Sequence, residues 1–444
     1  MSKIKYAVVG TGGRIPMFID PIAETYHENA QIVGFCDPSP TRMKWHLDRL
    51  VKAYDYADIP CYGIDDFDKM LVEQQPDVVI VCTPDYLHRD YIVKSMEHGC
   101  DVITEKPLTI DAESCAIIME AVERTGRHLR TAFNYRWQPG ASKVRELIGS
   151  GTIGKVIHVD FEYMLNTIHG ADYYRRWHSD KSCSGGLFIH KATHHFDLIN
   201  WWLDAIPESV YALGELAFYG KENAIARGQE AWTKYDRYTG VEAAKKDPFA
   251  LRMDEDETLK QLYYNAEADS GYIRDKNVFR DGITIEDTMS ALIKYRTGVV
   301  ANYSLNSYCP REGFVVTING DGGRIEYEER SASHIITGDK EIRMEANHKR
   351  SLHLKVQKLF GEPYEVPIEE GPGGHGGGDP LLQEQMFAKK PTKDELGRNA
   401  AHEQGAASIL VGVAANQSME SKLPVNLNDL WSLSPEAKHL HELA

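Results

Sequence analysis

Short β-branched runs alternate with amphipathic stretches through the first third of the chain, and this rhythm restricts the fold more than any other feature. The runs "IKYAVVG", "AQIVGFCD", "DVVIVCT", "DVITEK" and "LRTAFNY" end at Gly10, Asp37, Thr83, Lys106 and Tyr135. Segments of helical period, such as "DYIVKSMEHG" and "AESCAIIMEAVERTG", lie between them. Continuous apolar strands separated by helices predict a parallel sheet covered on both faces.

Past Tyr135 the pattern changes. After the helix-like "GASKVRELIGSG" come long alternating runs: "KVIHVDFEYML", "SALIKYRTGVVANYSLN" and "FVVTINGDGGRIEYE". Alternation of period two predicts a large, mostly antiparallel sheet with one better-buried face. The 444 residues therefore divide into an α/β domain over 1–135 and an α+β domain over 136–444. An insertion at about 219–281 is charged but rich in aromatics, which predicts order rather than disorder. "EEGPGGHGGGDP" reads as a glycine-rich loop that either carries His375 into a site or leaves it at the surface.

Charge narrows the partners. With 66 acidic and 50 basic residues, the formal charge of −16 argues against a nucleic-acid surface or an acidic membrane and suits neutral small molecules. Seven cysteines without paired spacing read as reduced thiols in a cytoplasmic protein. "MSKIKYAVVG" enters a strand without a signal-peptide pattern, and no apolar run approaches a membrane span.

The motif "AVVGTGGR" places Gly10, Gly12, Gly13 and Arg14 at the turn out of the first strand. Gly10 permits the tight turn, Gly12 lets backbone approach a pyrophosphate, and the following helix N-terminus offers unpaired N–H groups. Ile15 stands where a third small residue is usual. Asp37, ending the second strand, can accept from an adenosine ribose and would repel a 2′-phosphate, so NAD is expected over NADP. Ser39 and Arg42 could still accommodate a phosphate, and Asp37 could instead cap a helix in "DPSPTR". The first domain is thus read as a Rossmann dinucleotide-binding domain.

"ITEKPL" carries Glu105, Lys106 and Pro107 at the end of a parallel strand, where open α/β sheets place ligands. With "CTPDYLH" before it, "FNYRW" after it and "SGGLFIHKATHHFDLINWW" further on, the chain resembles the glucose–fructose oxidoreductase / inositol dehydrogenase / rhizopine-catabolism (Gfo/Idh/MocA) family. The resemblance implies NAD(P) in the first domain and a sugar or polyol against the sheet of the second. It adds Thr83, Pro84, His88, Glu105, Lys106 and Asn134 to the cofactor site. It implies catalytic roles for Lys106 and His194, and places His190 where many members have an aspartate. A homodimer or homotetramer formed through the sheet is also implied.

The stretch "HKATHHFDLINWW" holds most of the chemistry. As one helix it puts His190, His194, Asp197 and Trp201 on a single face, with Lys191 turned elsewhere unless the helix begins after it. A neutral imidazole can take the proton of a secondary alcohol while a nearby ammonium stabilises charge on oxygen. The same histidines could ligate a metal with His195, or with His375 and Asp379, although the nicotinamide already accounts for the chemistry and no metal is expected. Substrate contacts are expected from Lys106, Tyr135, Arg136, Arg176, Trp177, His190, Lys191, His194 and His375, with Arg176 and Trp177 taken from the cluster "HGADYYRRWH", while Tyr135 and Arg136 could instead lock the domain junction. Three functions remain open: hydride transfer between a sugar, glycoside or polyol hydroxyl and NAD; redox-neutral glycoside cleavage or epimerisation through transient oxidation; and a nucleotide-binding regulator. Lys106 together with His190 and His194 favours an enzyme.

Overall fold

The protein is described by a computed structural model covering residues 3–332 and 350–443, the side chain of His375 excepted. Six parallel strands form the first sheet: β1 (Ile4–Val9), β2 (Ala30–Cys36), β3 (Cys61–Tyr62), β4 (Val78–Val81), β5 (Asp101–Thr104) and β6 (Leu129–Thr131). Their order is β3-β2-β1-β4-β5-β6, so the chain reverses direction between β1 and β4, and a crevice opens beyond the carboxyl ends of those two strands. Gly10 turns the chain there with φ +85°, and a Cβ on it would lie 2.6 Å from the Cys82 carbonyl. Glycine is required on both counts.

The second sheet has nine strands in the order β14-β13-β12-β11-β7-β10-β9-β8-β15. Its centre comprises β7 (Val156–Asn166), β8 (Pro207–Glu215), β9 (Thr288–Tyr295), β10 (Val300–Cys309), β11 (Glu312–Gly320) and β12 (Gly323–Ala332), followed by β13 (Ser351–Lys358), β14 (Tyr364–Glu365) and β15 (Val425–Asn426). Pairing is antiparallel except between β7 and β10. Helices Thr193–Leu203 and His402–Ser421 cover one face, the latter packing on β8. The other face leaves Tyr211, Leu213 and Leu292 at 38%, 52% and 48% exposure. No helix among the described residues is long and apolar enough to cross a membrane.

The structure changes two expectations. "HKATHHFDLINWW" is not one helix: Leu187–His190 ends in a turn at Lys191 and Ala192, and Thr193 starts a second helix. His190 and His194 therefore belong to different segments. "GPGGHGGGDP" is not a loop but opens the helix Gly374–Phe387. That helix returns to the first domain, where Phe387 meets Tyr6 edge-on at 5.4 Å and the Tyr6 hydroxyl donates to the Met386 carbonyl at 3.2 Å. Burial of Leu382, Met386 and Phe387 with Phe18 and Ile22 outweighs the poor helix propensity of the glycines. The second half of the chain thus completes the core of the first.

The insertion is ordered, as its aromatics suggested. Phe218, Tyr219, Trp232, Phe249 and Phe279 pack ring on ring, with Trp232 and Phe279 stacked at 5.9 Å. Buried polar side chains tie its loops: Asp287 accepts from the amides of Ala217, Phe218 and Tyr219, and Asn277 donates to the Trp232 and Tyr235 carbonyls. Such bonds replace a regular ladder for backbone that would otherwise be buried unpaired.

Candidate active site

One cleft of about 1300 Å³ runs from the glycine turn to the sheet of the second domain. It is lined by Gly10, Gly12, Gly13, Arg14 and Asp37 at one end and by Lys106, Tyr135, Lys191 and His194 at the other. Glycines at the turn keep side chains out of the cleft, although the Gly13 amide is bonded to the Tyr263 hydroxyl, and Asp37 stands at its edge, so the residues present fit a dinucleotide. Asp37 accepts from the amides of Thr11 at 2.6 Å and Ser39 at 2.8 Å, with Arg42 Nε 3.2 Å away. The cap of helix Pro40–Tyr54 is Ser39, not Asp37. Deeper in the groove, Arg14 Nε donates to Glu105 at 2.5 Å, joining the ends of β1 and β5.

Thr83 and Pro84 line the cleft beside Asp85. His88 does not offer a ring nitrogen to it. Both nitrogens face backbone carbonyls, of Pro107 at 2.8 Å and Thr83 at 3.1 Å, so His88 braces the two turns from behind. Asn134 lines the cleft and donates to Asp379 at 3.0 Å, fastening it to the returning helix.

Lys106 Nζ donates to the His190 carbonyl at 2.9 Å. Burial lowers its pKa to about 8 against the opposing pull of Asp85 and Glu105. His190 Nδ1 lies 2.5 Å from Asp85 Oδ2, which leaves Nε2 as its other polar atom. Burial disfavours charge on either partner, moving Asp85 well above the usual carboxylate range and His190 well below the usual imidazole range. Lys106 limits the rise at Asp85 and adds to the fall at His190. With Asp85 ionised, Nδ1–H donates to it and Nε2 can accept a proton; with Asp85 protonated, Nδ1 accepts and Nε2 carries the hydrogen instead.

The second helix begins after Lys191, the alternative left open for it, and the turn brings Lys191 into the cleft. Its Nζ donates to the Tyr135 hydroxyl at 3.1 Å and lies 4.9 Å from the centre of the Tyr163 ring. His194 stacks on Tyr135 at 4.2 Å and 10°. His195 is buried: Nδ1 bonds the Tyr303 hydroxyl at 2.7 Å, and its ring stacks on Tyr163 at 4.1 Å. The three histidines thus face three different partners, which is not convergence on one ion.

Arg176 and Trp177 line the substrate end of the cleft. Arg176 pairs with Asp172 at 3.0 Å, and Arg274 of the insertion reaches the same carboxylate at 3.2 Å. Burial would raise Asp172, but Arg274, Arg176 and Arg175 outweigh it and hold the carboxyl below the usual range. Arg136 does not reach the cleft. Its guanidinium is 1% exposed and binds Asp197 through two bonds of 2.7 and 2.6 Å, so it locks the domain junction instead of touching substrate. His375 lies in the first turn of helix Gly374–Phe387, and its side chain is outside the described residues.

Sequence reasoning missed Asp85 and the contacts that the insertion makes at the cleft. Asp85 sits inside the quoted "CTPDYLH", but only the fold shows that it meets His190. Tyr263 comes from a π-helical turn, Lys260–Tyr264, and its hydroxyl accepts from the Gly13 amide at 2.7 Å. No local pattern joins positions 250 residues apart.

Comparison with known proteins agrees with this fold. Residues 4–133 match the "Oxidoreductase family, NAD-binding Rossmann fold" and residues 145–427 the "Oxidoreductase family, C-terminal alpha/beta domain". YteT of Bacillus subtilis (strain 168) is 35% identical over 433 residues, covering 94% of this chain and 96% of that one. The 2,7-anhydro-N-acetylneuraminate hydratase of Mediterraneibacter gnavus is 26% identical over 225 residues, 48% of this chain and 53% of its own. The aldose-aldose oxidoreductase of Caulobacter crescentus, solved with glycerol, shares the fold at a TM-score of 0.62 and 16% identity, covering 96% of this chain and all of that one. The chain belongs to the Gfo/Idh/MocA family of oxidoreductases, with an NAD-binding Rossmann domain followed by the family's C-terminal α/β domain.

Proposed function

We propose that the protein is an NAD-dependent oxidoreductase acting on a secondary hydroxyl of a sugar, glycoside or polyol. One observation carries the reading: Lys106 and the Asp85–His190 pair meet at the carboxyl ends of β4 and β5, in the same cleft as the glycine turn. The bound nicotinamide supplies hydride acceptance or donation. Lys106 places an ammonium where negative charge would develop on the reacting oxygen. His190 or His194 takes the hydroxyl proton, His190 oriented by Asp85 and His194 by its stack on Tyr135. Lys191, Arg176 and Trp177 orient the substrate.

NAD is favoured over NADP because Asp37 faces the groove. A redox-neutral second reading, in which transient oxidation permits elimination or epimerisation, is favoured by the Tyr263 contact on Gly13, since a covered groove delays cofactor exchange. The test is a panel of sugars and glycosides with NAD, followed by absorbance at 340 nm and by mass spectrometry. Accumulating NADH supports net oxidation, and altered sugar without NADH supports the second reading. No product from any substrate class would count against both.

A further inference from the structure

The donors that a 2′-phosphate would use are already occupied by the insertion. Ser39, Thr41 and Arg42 present a hydroxyl, a first-turn amide of helix Pro40–Tyr54 and a guanidinium, a set suited to an anion. Ser39 Oγ donates to Asp269 Oδ2 at 2.5 Å, and the Thr41 amide donates to the same oxygen at 3.1 Å. Arg42 is held between two partners, Asp37 at 3.2 Å through Nε and the Ser270 hydroxyl at 3.3 Å through Nη2. The insertion thus delivers a carboxylate onto the edge of the groove, beside the residue read as the ribose acceptor.

We propose that Asp269 is a built-in anion at the phosphate subsite and sets cofactor specificity together with Asp37. The assignment rests on the reading of this groove as a nicotinamide dinucleotide site. A 2′-phosphate would have to displace the carboxylate from Ser39 and Thr41, or sit beside it. Bonds from Ser39 and Thr41 hold the carboxyl below its usual range, so it is ionised at neutral pH. Repulsion of a dianion by one carboxylate a few ångströms away across water amounts to roughly tenfold in affinity. NAD, which ends there in a hydroxyl, is spared that repulsion. On this reading Asp37→Ser alone does not create an NADP site, because the second carboxylate remains.

Isothermal titration calorimetry of NAD and NADP with the full chain tests this without any substrate. The proteins are wild type, Asp37→Ser, Asp269→Asn, Asp269→Ala and Asp37→Ser/Asp269→Asn. Asn keeps the acceptor oxygen and removes the charge, whereas Ala also frees Ser39 and Thr41. Asp269 is exposed, so neither change threatens the fold. Asp269→Asn should tighten NADP relative to NAD by roughly tenfold, Asp269→Ala by at least as much, and the double variant by more than either single change. An NADP/NAD ratio unchanged in both Asp269 variants overturns the proposal. Wild-type preference for NADP overturns the reading of Asp37 instead, and a further shift toward NADP in Asp269→Asn would still support a role for Asp269.

Discussion

Asp85 Oδ2 lies 2.5 Å from His190 Nδ1, tying the end of β4 to the second domain across the mouth of the cleft. A carboxyl in that place fixes which ring nitrogen faces the cleft, and in its ionised form stabilises the imidazolium formed when the ring takes a proton. Asp85→Asn keeps the volume and weakens both effects. We expect a loss of roughly ten- to a hundredfold in single-turnover rate, with NAD affinity within a few fold. A wild-type rate in stopped-flow absorbance would remove Asp85 from proton transfer.

Lys106→Met should bind cofactor and lose about a hundred- to thousandfold in turnover, as expected when a charge partner of the transition state is removed. The pH profile has a definite sign. Burial lowers Lys106 to about 8, so its ammonium persists at neutral pH and is lost as the pH rises through that value. A rate that needs the ammonium falls on the alkaline side. A kcat that climbs above pH 8 would show that the free amine acts instead, as a base.

The histidines separate by role. His194→Ala should abolish NADH formation on the enzyme, and His190→Ala should reduce it less, both measured in a single turnover. His195→Ala should act through packing, since the ring is fully buried against Tyr163 and Phe161. It should cost about 2–4 kcal/mol in urea denaturation, with the rate per folded molecule largely kept. The reverse pattern, His195→Ala inactive and His194→Ala active, would contradict the assignment.

Arg136→Met leaves Asp197 buried and uncompensated at the domain junction. Breaking such a pair typically costs about 3–5 kcal/mol, readable as a lowered urea midpoint. A variant as stable as wild type would mean that Asp197 takes up a proton at no cost.

The open face of the second sheet carries Tyr211, Leu213 and Leu292 within one shallow depression. We expect a second subunit to cover it, because an apolar sheet face of this kind favours association. Leu292→Asp should convert the oligomer to monomer in light scattering. Wild-type protein that is already monomeric at micromolar concentration would refute the expectation.

Much of this was legible in the chain. Five of the six parallel strands, the glycine turn and the place of Lys106 follow from local pattern, because each depends on neighbours in sequence; β3, only two residues long, does not. The break after His190 was legible only as an alternative: "HKATHHFDLINWW" has helical period throughout, and the partners that Lys191 meets in the cleft, Tyr135 and Tyr163, are distant in sequence. For Arg136 the sequence left two roles, substrate ligand or lock on the domain junction, and the fold decides for the lock by bringing Asp197 to it. The contacts of Tyr263 and Asp269 lie between segments more than 200 residues apart, where no periodicity can report them.

The returning helix Gly374–Phe387 also sets a timetable for biosynthesis. Tyr6, Phe18 and Ile22 are among the first apolar residues to leave the ribosome, yet Leu382, Met386 and Phe387, which share their core, come from the last fifth of the chain. Chains elongate at about 5–20 residues per second, so the roughly 250 residues between the end of the first domain at Tyr135 and Phe387 leave that surface bare for on the order of ten to fifty seconds. During this interval the nascent Rossmann sheet is a target for chaperones or for neighbouring chains. A fragment ending near Tyr135 would carry the same bare surface permanently.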